Sequence, residues 1–287
     1  MSNLVNKHIA DLFKNKKILK NENLTNAFGA YCNKITMSDS TQFIIKGLRK
    51  PNNNYNYIYY EGKSLKFMHK KFPELFPKIL HLKKNIIVMD YIKHNKIKNK
   101  KSDKDLAIKL ASIHKITNKK FGFDFDTPIG GIRQPCKYQY SWIDFYANKR
   151  LGMIFEKINS NNPMPKKINK NIENILKNLK NLIPNNPKPS LIHGDLWEGN
   201  ILFHEGNLVG LIDPGIYYAH NELELSYLNW FNYVGSDFIN NYNELNPVDK
   251  IFYNYQEVYQ LYYSLLNIHL WSREYISDAY KLSKKFS

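Results

Sequence analysis

The sequence predicts a two-lobed α+β protein, with a small amino-terminal lobe that holds an antiparallel sheet and one helix, and a larger, mostly helical carboxy-terminal lobe. Three observations support this prediction. Short β-rich runs and a helical stretch fill the chain up to about residue 90, and apolar residues at helical spacing recur after it. The 287 residues suffice for two small domains or for one domain with two lobes. We therefore assign residues 1–90 to the N-lobe and residues 91–287 to the C-lobe.

The N-lobe elements are predicted from turn residues and hydrophobic spacing. Residues 28–33, Phe-Gly-Ala-Tyr-Cys-Asn, are typical of a turn, and residues 41–46 are a β-rich run that ends in lysine. Apolar side chains recur on one face of a helix across residues 57–71, and residues 86–89 are a short apolar strand. These elements predict a small sheet packed against one helix.

The C-lobe elements are predicted in the same way. Residues 93–101 have the basic composition of a poorly ordered connector, and Ser-Asp-Lys-Asp at residues 102–105 fits a capping signal for a helix. A further helix carries Ile and Leu at helical spacing across residues 168–183 and stops at a proline-rich run, residues 184–189. From Glu222 onward the chain is rich in Tyr, Leu and Phe and poor in Gly, which predicts several packed helices.

The composition indicates a folded protein without a disulfide framework. Apolar residues make up 43% and aromatic residues 14% of the chain, which excludes a disordered or collagen-like protein. Only Cys32 and Cys136 are present, too few for a disulfide-stapled secreted domain, and neither has the spacing of a zinc ligand. The N-terminal residues lack an apolar signal-peptide run, and no stretch approaches the ~20 apolar residues of a membrane helix. We expect a cytoplasmic protein that does not enter a membrane.

The net charge of +17, from 42 basic and 25 acidic residues, raises the question of nucleic-acid binding. The lysines are scattered through nearly every polar position and accompanied by abundant asparagine, and few fall into arginine-rich or aromatic-interleaved blocks. We interpret them as a solvated surface and expect no specific nucleic-acid partner. A positive field also attracts anionic ligands such as nucleotides, so the net charge alone does not decide between nucleic-acid binding and a solvated lysine-rich surface.

The most informative segment is His-Gly-Asp-Leu-Trp-Glu-Gly-Asn at residues 193–200. Asp195 and Asn200 lie five positions apart before a predicted strand, and Asp213 follows the next strand. This is the arrangement of phosphoryl-transfer enzymes of the protein-kinase type. In that arrangement Asp195 accepts the proton of the acceptor hydroxyl, while Asn200 and Asp213 hold Mg²⁺ on the nucleotide phosphates. His193 would orient the loop, with Asp195 taking the proton.

The N-lobe should supply a clamp for ATP. Lys46 follows an apolar strand, as the phosphate-binding lysine of kinases does, and Glu61 lies 15 residues later in a predicted helix, where it can pair with Lys46. The loop between the first strands holds only Gly29, fewer glycines than a kinase glycine-rich loop. The adenine pocket is predicted from a hinge at residues 89–92 and from apolar side chains, and its candidates are Ile44, Met89, Tyr91, Leu202 and Ile212.

The chain resembles the fructosamine kinase (ketosamine-3-kinase) family, a branch of the aminoglycoside-phosphotransferase and protein-kinase-like fold. The resemblance rests first on residues 193–200 with their tryptophan and on residues 212–225, Ile-Asp-Pro-Gly-Ile-Tyr-Tyr-Ala-His-Asn-Glu-Leu-Glu-Leu. Residues 60–65, 129–134 and 259–262 resemble further family signatures, so the resemblance spans most of the chain. Two departures are the few glycines in the phosphate loop and Cys136, which stands where the family generally has Asn.

The resemblance implies ATP-dependent phosphorylation of the third-carbon hydroxyl of a ketosamine, the Amadori adduct of a sugar on an amine. A phosphate at that carbon is a good leaving group beside the ketone, so the adduct can break down and release the amine, as deglycation requires. Fructosamine, ribulosamine and erythrulosamine adducts, on a free or a protein-bound amine, all remain candidate substrates. Candidates for the substrate side of the cleft are Trp142, His220 and Glu222.

Cys32 lies in the predicted phosphate loop, where lysines and backbone amides would stabilise a thiolate. Oxidation, or a disulfide to Cys32 of a second molecule, would then inhibit the enzyme reversibly. The protein would accordingly be a monomer or a redox-linked homodimer. An inert buried thiol is the alternative.

Two other functions stay open from the sequence. One is a different small-molecule kinase of the same fold, acting on an aminoglycoside, choline or a similar hydroxyl compound; Trp197 and the sequence at residues 217–224 argue against it. The other is a catalytically inactive kinase-like or nucleic-acid-binding protein. Asp195, Asn200, Asp213 and Lys46 are all present, which argues against an inactive protein.

Overall fold

The structure is a computed structural model that describes Phe13, residues 17–50 and residues 55–286. The N-terminal residues that lack a signal-peptide pattern lie outside this part of the chain. Within the described ranges, no helix has the length and apolar character needed to cross a membrane.

The N-lobe is a five-stranded antiparallel sheet with one helix, as the sequence predicted. The strand order is β1-β2-β3-β5-β4. The strands are β1 (Ile18–Thr25), β2 (Ala30–Met37), β3 (Gln42–Leu48), β4 (Ile79–Lys83) and β5 (Ile86–Asp90), and helix α1 spans Tyr57–Lys71 between β3 and β4. The predicted helix at residues 57–71 and the predicted strand at residues 86–89 are confirmed.

Strand β3 is buried on both faces, and its alternation sets the direction of Lys46. Phe43 and Ile45 point into a cluster that includes Phe13, whose ring stacks on Phe43 with centroids 4.5 Å apart. Ile44 points to the opposite face and joins the main core with helix α1. Because side chains two residues apart share a face of a strand, Lys46 lies on the same side as Ile44, towards α1 and the C-lobe.

The turn between β1 and β2 is shorter than the sequence predicted. Its two central residues, Phe28 and Gly29, have φ of 51° and 80°, and the Ala30 N–H donates to the Ala27 carbonyl at 2.9 Å. Positive φ at both central residues is the requirement of a tight type I′ hairpin turn. The chain is already extended at Ala30, so Cys32 lies in strand β2 and not in a loop. The prediction of a turn through residue 33 is therefore wrong.

The connector to the C-lobe is held by hydrogen bonds, contrary to the expectation of a poorly ordered segment. The backbone N–H groups of Asn95 and Lys96 donate to the Phe203 carbonyl at 3.0 and 2.9 Å. Lys98 Nζ donates to the Tyr233 carbonyl at 2.7 Å. Its basic composition was misleading because these lysines and asparagines bind backbone groups of the C-lobe.

The C-lobe is mostly helical, with short two-stranded sheets between its helices. Its helices are α2 (Ser102–His114), α3 (Trp142–Tyr146), α4 (Gly152–Asn161), α5 (Lys166–Leu182), α6 (Glu222–Trp230), α7 (Ser236–Leu245), α8 (Phe252–Leu270) and α9 (Ile276–Lys284). Its strands are β6 (Thr127–Ile129), β7 (Ile132–Gln134), β8 (Ser190–Ile192), β9 (Ile201–His204), β10 (Asn207–Leu211) and β11 (Tyr217–Ala219). The pairs are β6 with β7, β8 with β11, and β9 with β10.

Two helix predictions are confirmed, and one capping prediction is wrong. Helix α5 ends at Leu182, just before the proline-rich run. Helix α2 begins at Ser102, but its hydroxyl does not cap the helix by accepting a bond from a later turn. The buried Ser102 hydroxyl accepts from the Asn99 N–H at 2.9 Å and donates to the Gly206 carbonyl at 2.7 Å, which ties α2 to the β9–β10 hairpin.

Candidate active site

Lys46 is paired with two carboxylates at the junction of the lobes. Its Nζ lies 2.8 and 2.7 Å from the two oxygens of Glu61 on α1, and 3.0 Å from Asp213 Oδ2, which belongs to the C-lobe. Burial by itself would lower the pKa of Lys46, but the charges of Asp213 and Glu61 hold it above the usual range. Lys46 is thus a fixed positive charge that connects the sheet, the helix and the C-lobe.

Asp195 lies on the loop between β8 and β9 and is oriented by Asn200. The Asn200 Nδ2 donates to the Asp195 carbonyl at 2.8 Å and approaches its Oδ2 at 3.3 Å. Burial, with a smaller contribution from the negative charge of Asp213, raises the pKa of Asp195 to about 7. A carboxyl with a pKa in this range is well suited to accept a proton near neutral pH.

His193 makes the contacts expected of a residue that orients the loop of Asp195. The sequence predicted this role for His193 and assigned the role of the base to Asp195. Its Nε2 donates to the Ile212 carbonyl at 3.0 Å, and its Nδ1 accepts the Asp195 N–H at 3.3 Å. Burial lowers the pKa of His193, which favours this neutral imidazole. The histidine therefore links the loop of Asp195 to the segment that carries Asp213.

Asp213 has a left-handed backbone, with φ of 54°, two residues after the end of strand β10. A non-glycine residue in this region costs about 1–3 kcal/mol and is found most often at functional sites. The loop of Asp195 approaches this segment closely at Gly194, whose φ is 85° and where a Cβ atom would collide with the Gly215 carbonyl oxygen. The close approach brings Asp195 and Asp213 to the same cavity.

A pair of oxygen donors is available for a divalent cation. Asn200 and Asp213 line the same cavity, and no described residue donates a hydrogen bond to Asn200 Oδ1. The described residues contain no group of three His, Cys, Asp or Glu side chains that could form a cage around a metal ion. Mg²⁺ is usually bound by one or two protein oxygens together with water and substrate phosphates, so the two donors fit Mg²⁺ on a nucleotide.

The cavity between the lobes has a volume of about 990 Å³. Lys46, Glu61, Asp195, Asn200 and Asp213 all line it, so residues of both lobes meet at one site. The lining also holds a group of aromatic side chains from the C-lobe, Trp197, Tyr227, Phe231, Tyr233, Trp271 and Tyr275.

Comparison with known proteins assigns the family. A fructosamine kinase family model matches residues 1–286. The chain belongs to the fructosamine kinase family. It is 32% identical over 198 residues to a chloroplastic protein-ribulosamine 3-kinase of Arabidopsis thaliana, an alignment that covers 67% of this chain and 59% of the relative. The chain thus spans about three-fifths of that plant relative.

Solved structures of other proteins share the fold. A candidate fructosamine-3-kinase from Thermobifida fusca superimposes with a TM-score of 0.88 at 20% identity, covering 98% of both chains. A ternary complex of the phosphotransferase APH(2″)-IIa with streptomycin and ATP superimposes with a TM-score of 0.67 at 16% identity, covering 99% of this chain and 96% of that one. The predicted two-lobed, protein-kinase-like fold is confirmed.

Of the five adenine-pocket candidates, one lines the cavity. Ile212 does so. Ile44 and Met89 pair with each other across β3 and β5, and both are buried, as is Leu202 on β9. Tyr91 is half-buried, and its ring lies 3.7 Å from Lys34 Nζ. Their contact with the adenine ring stays a prediction.

The structure does not bring the three predicted substrate residues to the cleft of the kinase. Trp142, His220 and Glu222 are buried in the C-lobe, and none lines the cavity. The Trp142 Nε1–H donates to the Tyr259 hydroxyl at 2.9 Å, and that hydroxyl lies 2.9 Å from His220 Nδ1. Glu222 accepts hydrogen bonds from the Asp249 N–H and the Tyr255 hydroxyl. Their polar groups are satisfied inside the lobe, which corrects their assignment to the substrate side.

Glu224 positions the catalytic loop and was missed in the sequence. Its two carboxylate oxygens accept the backbone N–H groups of His193 at 3.0 Å and Gly194 at 2.7 Å. His114 Nε2 lies 3.0 Å from the same carboxylate, and all of these groups are buried. The sequence signal was available, because Glu224 is the second glutamate of the motif from which Glu222 was chosen.

Cys32 does not have the environment predicted for a reactive thiol. It lies in strand β2 opposite Lys46, and burial raises the pKa of its thiol to about 12, although the charge of Lys46 opposes the shift. The expected lowering of its pKa is therefore wrong. Cys136 is completely buried, and Arg150 Nη2 lies 3.4 Å from its Sγ.

Proposed function

We propose that this protein transfers the γ-phosphoryl group of ATP to the third-carbon hydroxyl of a ketosamine, with ribulosamine, erythrulosamine and fructosamine adducts as the substrate class. One observation carries the proposal: the ion pair of Lys46 and Glu61, the Asp195–Asn200 loop and Asp213 all open on one cavity. Phosphoryl transfer consists mostly of positioning and charge neutralisation, and these residues supply both.

Each residue has a distinct role in this proposal. Lys46, held by Glu61, binds phosphate oxygens of ATP, because its ammonium group is fixed next to Asp213, which would hold the cation on those phosphates. Asp195 accepts the proton of the sugar hydroxyl as the oxygen attacks the γ-phosphorus, and Asn200 keeps its carboxylate aimed at that hydroxyl. Asn200 and Asp213 would hold Mg²⁺, which supplies positive charge to the phosphates when it is bound.

The charge of the cavity supports a cationic acceptor. Although the chain has a net charge of +17, the cavity lining has five carboxylates and two lysines. Glu198 and Glu274 are the two carboxylates that have no role in the phosphoryl transfer proposed above, and they line the cavity together with aromatic residues that include Trp271 and Tyr275. Carboxylates and aromatic faces attract ammonium groups, so the protonated secondary amine of a ketosamine fits this part of the cavity.

The product chemistry fits a role in deglycation. A phosphate on the third carbon is adjacent to the ketone carbon, which makes it a good leaving group. Its departure converts the adduct into a species that releases the amine, so that the amine is regenerated without its sugar. The proposal includes adducts on free amines and adducts on protein-bound amines.

The test is a panel of acceptors incubated with Mg-ATP. We expect ADP formation with ribulosyl-, erythrulosyl- or fructosyl-lysine, and phosphate at the third carbon of the product by ³¹P-coupled NMR. An Asp195→Asn variant measured in parallel controls for a contaminating kinase. Activity confined to an aminoglycoside such as streptomycin, or ATP turnover with no acceptor at all in the panel, would overturn the proposal.

The location of the protein, its oligomeric state and its behaviour towards nucleic acid are further parts of the proposal. We propose a cytoplasmic, monomeric protein with no specific nucleic-acid partner. A dedicated DNA binder with about six phosphate contacts loses affinity steeply as salt rises. We expect only weak retention on duplex DNA that disappears by about 0.15 M salt, and tight sequence-dependent binding at that salt would contradict this proposal.

A further inference from the structure

The turn over the cavity in the N-lobe touches the aromatic wall of the C-lobe. The ring of Phe28, at the tip of the β1–β2 turn, meets the edge of Trp271 with centroids 5.1 Å apart at an angle of 69°. Both residues line the cavity. The Phe28 carbonyl accepts from Tyr57, whose hydroxyl is close enough to Lys46 and Glu61 to interact with their charges, and Trp271 lies three residues before Glu274. The contact therefore joins the part of the cavity that would hold the phosphates to the part that would hold the acceptor.

Phe28 occupies a backbone conformation that its residue type does not favour. Its φ of 51° is left-handed, where Asn, Asp or Gly are the usual residues of a two-residue hairpin turn. Non-glycine residues in this region are concentrated at functional sites, which directs attention to the side chain of Phe28. The ring of Phe28 lies against Trp271 at just this position, so the contact supplies a reason for the strained residue.

Two glycines of the β6–β7 hairpin allow the three segments to meet. At Gly131 a Cβ atom would lie 2.7 Å from the Cβ of Phe28, and at Gly130 it would lie 2.5 Å from Leu270 Cδ1. A side chain at either glycine would therefore push apart the turn, the hairpin and the end of α8, where Trp271 lies. Glycine is also suited to these positions because both φ values are positive, 49° and 82°.

The turn is also tied to the helix of the ion pair. The Tyr57 hydroxyl donates to the Phe28 carbonyl at 2.9 Å, and Tyr57 is the first residue of α1, which carries Glu61. A displacement of the Phe28 turn is thereby transmitted to α1 and to the Lys46 site. The opposite end of the contact is Trp271, which directly follows α8.

We infer that Phe28 and Trp271 are positioning residues that couple the binding of Mg-ATP to the binding of the acceptor. The inference rests on the proposed function, because the acceptor is the ketosamine. Phosphates bound beneath the turn hold Phe28 against Trp271, and Trp271 in that position completes the wall against which the acceptor lies. Coupling between two ligands is reciprocal, so the acceptor strengthens nucleotide binding by the same factor.

The test distinguishes the loss of the Phe28 ring from a loss of stability in its turn. Phe28→Asn places a favoured residue at the left-handed position and removes the ring, so this variant should unfold at or above the temperature of the wild type. The dissociation constant of a non-hydrolysable ATP analogue with Mg²⁺ is measured with and without saturating ribulosyl-lysine. We expect a ratio of about 10 in the wild type and of about 1 in Phe28→Asn.

Two further variants make the result specific. Trp271→Ala should also reduce the ratio to about 1, and the double variant should reduce it no further, because both residues form one contact. Phe28→Tyr retains the ring and should retain the ratio. A ratio unchanged in Phe28→Asn or Trp271→Ala would overturn the inference, as would a wild-type ratio of 1 in a protein that phosphorylates the adduct.

Failure of the proposed function gives a different result. In that case the wild-type protein itself turns over no ketosamine, and the inference falls together with the function. Retained ketosamine phosphorylation with no coupling overturns the inference alone.

Discussion

Glu224 holds the backbone of Gly194 by a hydrogen bond of 2.7 Å, although the two residues lie 30 positions apart in the chain. Gly194 precedes Asp195, so this bond fixes the direction from which the carboxylate of Asp195 enters the cavity. The second oxygen of Glu224 accepts the N–H of His193 at 3.0 Å, and both bonds are buried. A buried carboxylate that accepts two backbone N–H groups is difficult to replace, because an amide has only one acceptor oxygen.

We predict that Glu224→Gln lowers kcat about 10- to 100-fold and destabilises the fold by about 1–3 kcal/mol, since one backbone N–H loses its acceptor. The matched control is Glu222→Gln, two residues away and also buried, whose partners lie outside the active site. The control should lower the unfolding temperature while kcat stays within about threefold. Equal losses of kcat in the two variants would mean that Glu224 acts only through stability.

Asp195→Asn should abolish transfer and leave ATP binding within a few-fold of the wild type. Asp195 is assigned to the acceptor hydroxyl and not to the nucleotide, and loss of a positioned base typically costs ~10²–10⁴ in rate. Asparagine has nearly the same shape, so the loop should keep its hydrogen bonds to Asn200. Stopped-flow or radiometric rates with ribulosyl-lysine, together with nucleotide titration, test both parts. A wild-type rate in this variant would contradict the role of Asp195.

Asp213→Ala should weaken Mg-ATP binding as well as removing activity. The substitution deletes an oxygen donor for the cation and one of the two carboxylates on Lys46. Nucleotide titrations at several Mg²⁺ concentrations give the measurement: the wild type should bind more tightly as Mg²⁺ rises, and the variant should lose most of that dependence. Asp237→Ala, at the exposed start of α7, controls for the change in net charge. If the variant keeps the full Mg²⁺ dependence, Asp213 does not hold the cation.

The catalytic loop could be predicted from the sequence because its chemistry is local. Asp195 and Asn200 are five residues apart in a loop, and Asp213 follows the next hairpin, so their spacing alone brings them together. The pairing of Lys46 with Glu61 was also predicted, since one strand and one helix connect them.

The residues on the buried C-lobe helices could not be placed from the sequence. Residues 222–228 of α6 are all buried, so no polar face marks which side points towards the cavity. Glu222 and Glu224 therefore look equivalent in the sequence, yet Glu222 bonds to Asp249 and Tyr255 whereas Glu224 bonds to the catalytic loop. Cys32 was misplaced for a different reason: the length of the turn decides whether residue 32 is in a loop or a strand.

Because His220 is buried, we predict that the free energy of unfolding decreases in acid. Burial, with a smaller contribution from the charge of His114, lowers the pKa of His220 from its ordinary value of 6.5 to about 3. The unfolded chain then binds a proton between these values that the folded protein does not, so stability present above pH 6.5 is lost as the pH falls towards 3. The loss from this one group is about 2 kcal/mol at pH 5 relative to pH 7.

His220→Asn isolates this effect, because asparagine can still face the Tyr259 hydroxyl and does not titrate. Urea unfolding of both proteins at pH 7 and pH 5 gives the measurement. The variant should be less stable than the wild type at pH 7, and the difference should shrink by about 2 kcal/mol at pH 5. A difference that is the same at both pH values would show that folding does not lower the pKa of His220.

Glu274 should select acceptors by their charge. It lines the cavity next to Trp271, and it forms no ion pair with another described residue. A carboxylate about 6 Å from an ammonium group in a partly solvated cavity contributes about 1 kcal/mol to its binding. Glu274→Gln should therefore raise the KM for ribulosyl-lysine about three- to tenfold, leave the KM for ATP unchanged, and lose its effect as salt rises.

Two controls accompany this variant. One is an acceptor that lacks the positive charge of the amine, and the other is the same substitution at a glutamate outside the cavity. An N-acylated ketosamine has an uncharged amide in place of the amine, so Glu274→Gln should leave the KM for this acceptor unaltered. The ratio of the KM for the acylated adduct to the KM for ribulosyl-lysine should therefore be smaller in the variant than in the wild type. Glu244→Gln, an exposed position at the end of α7, changes the net charge equally and should affect neither acceptor. If both glutamine variants raise the KM for ribulosyl-lysine alike, the effect belongs to the overall field of the protein and not to a site at Glu274.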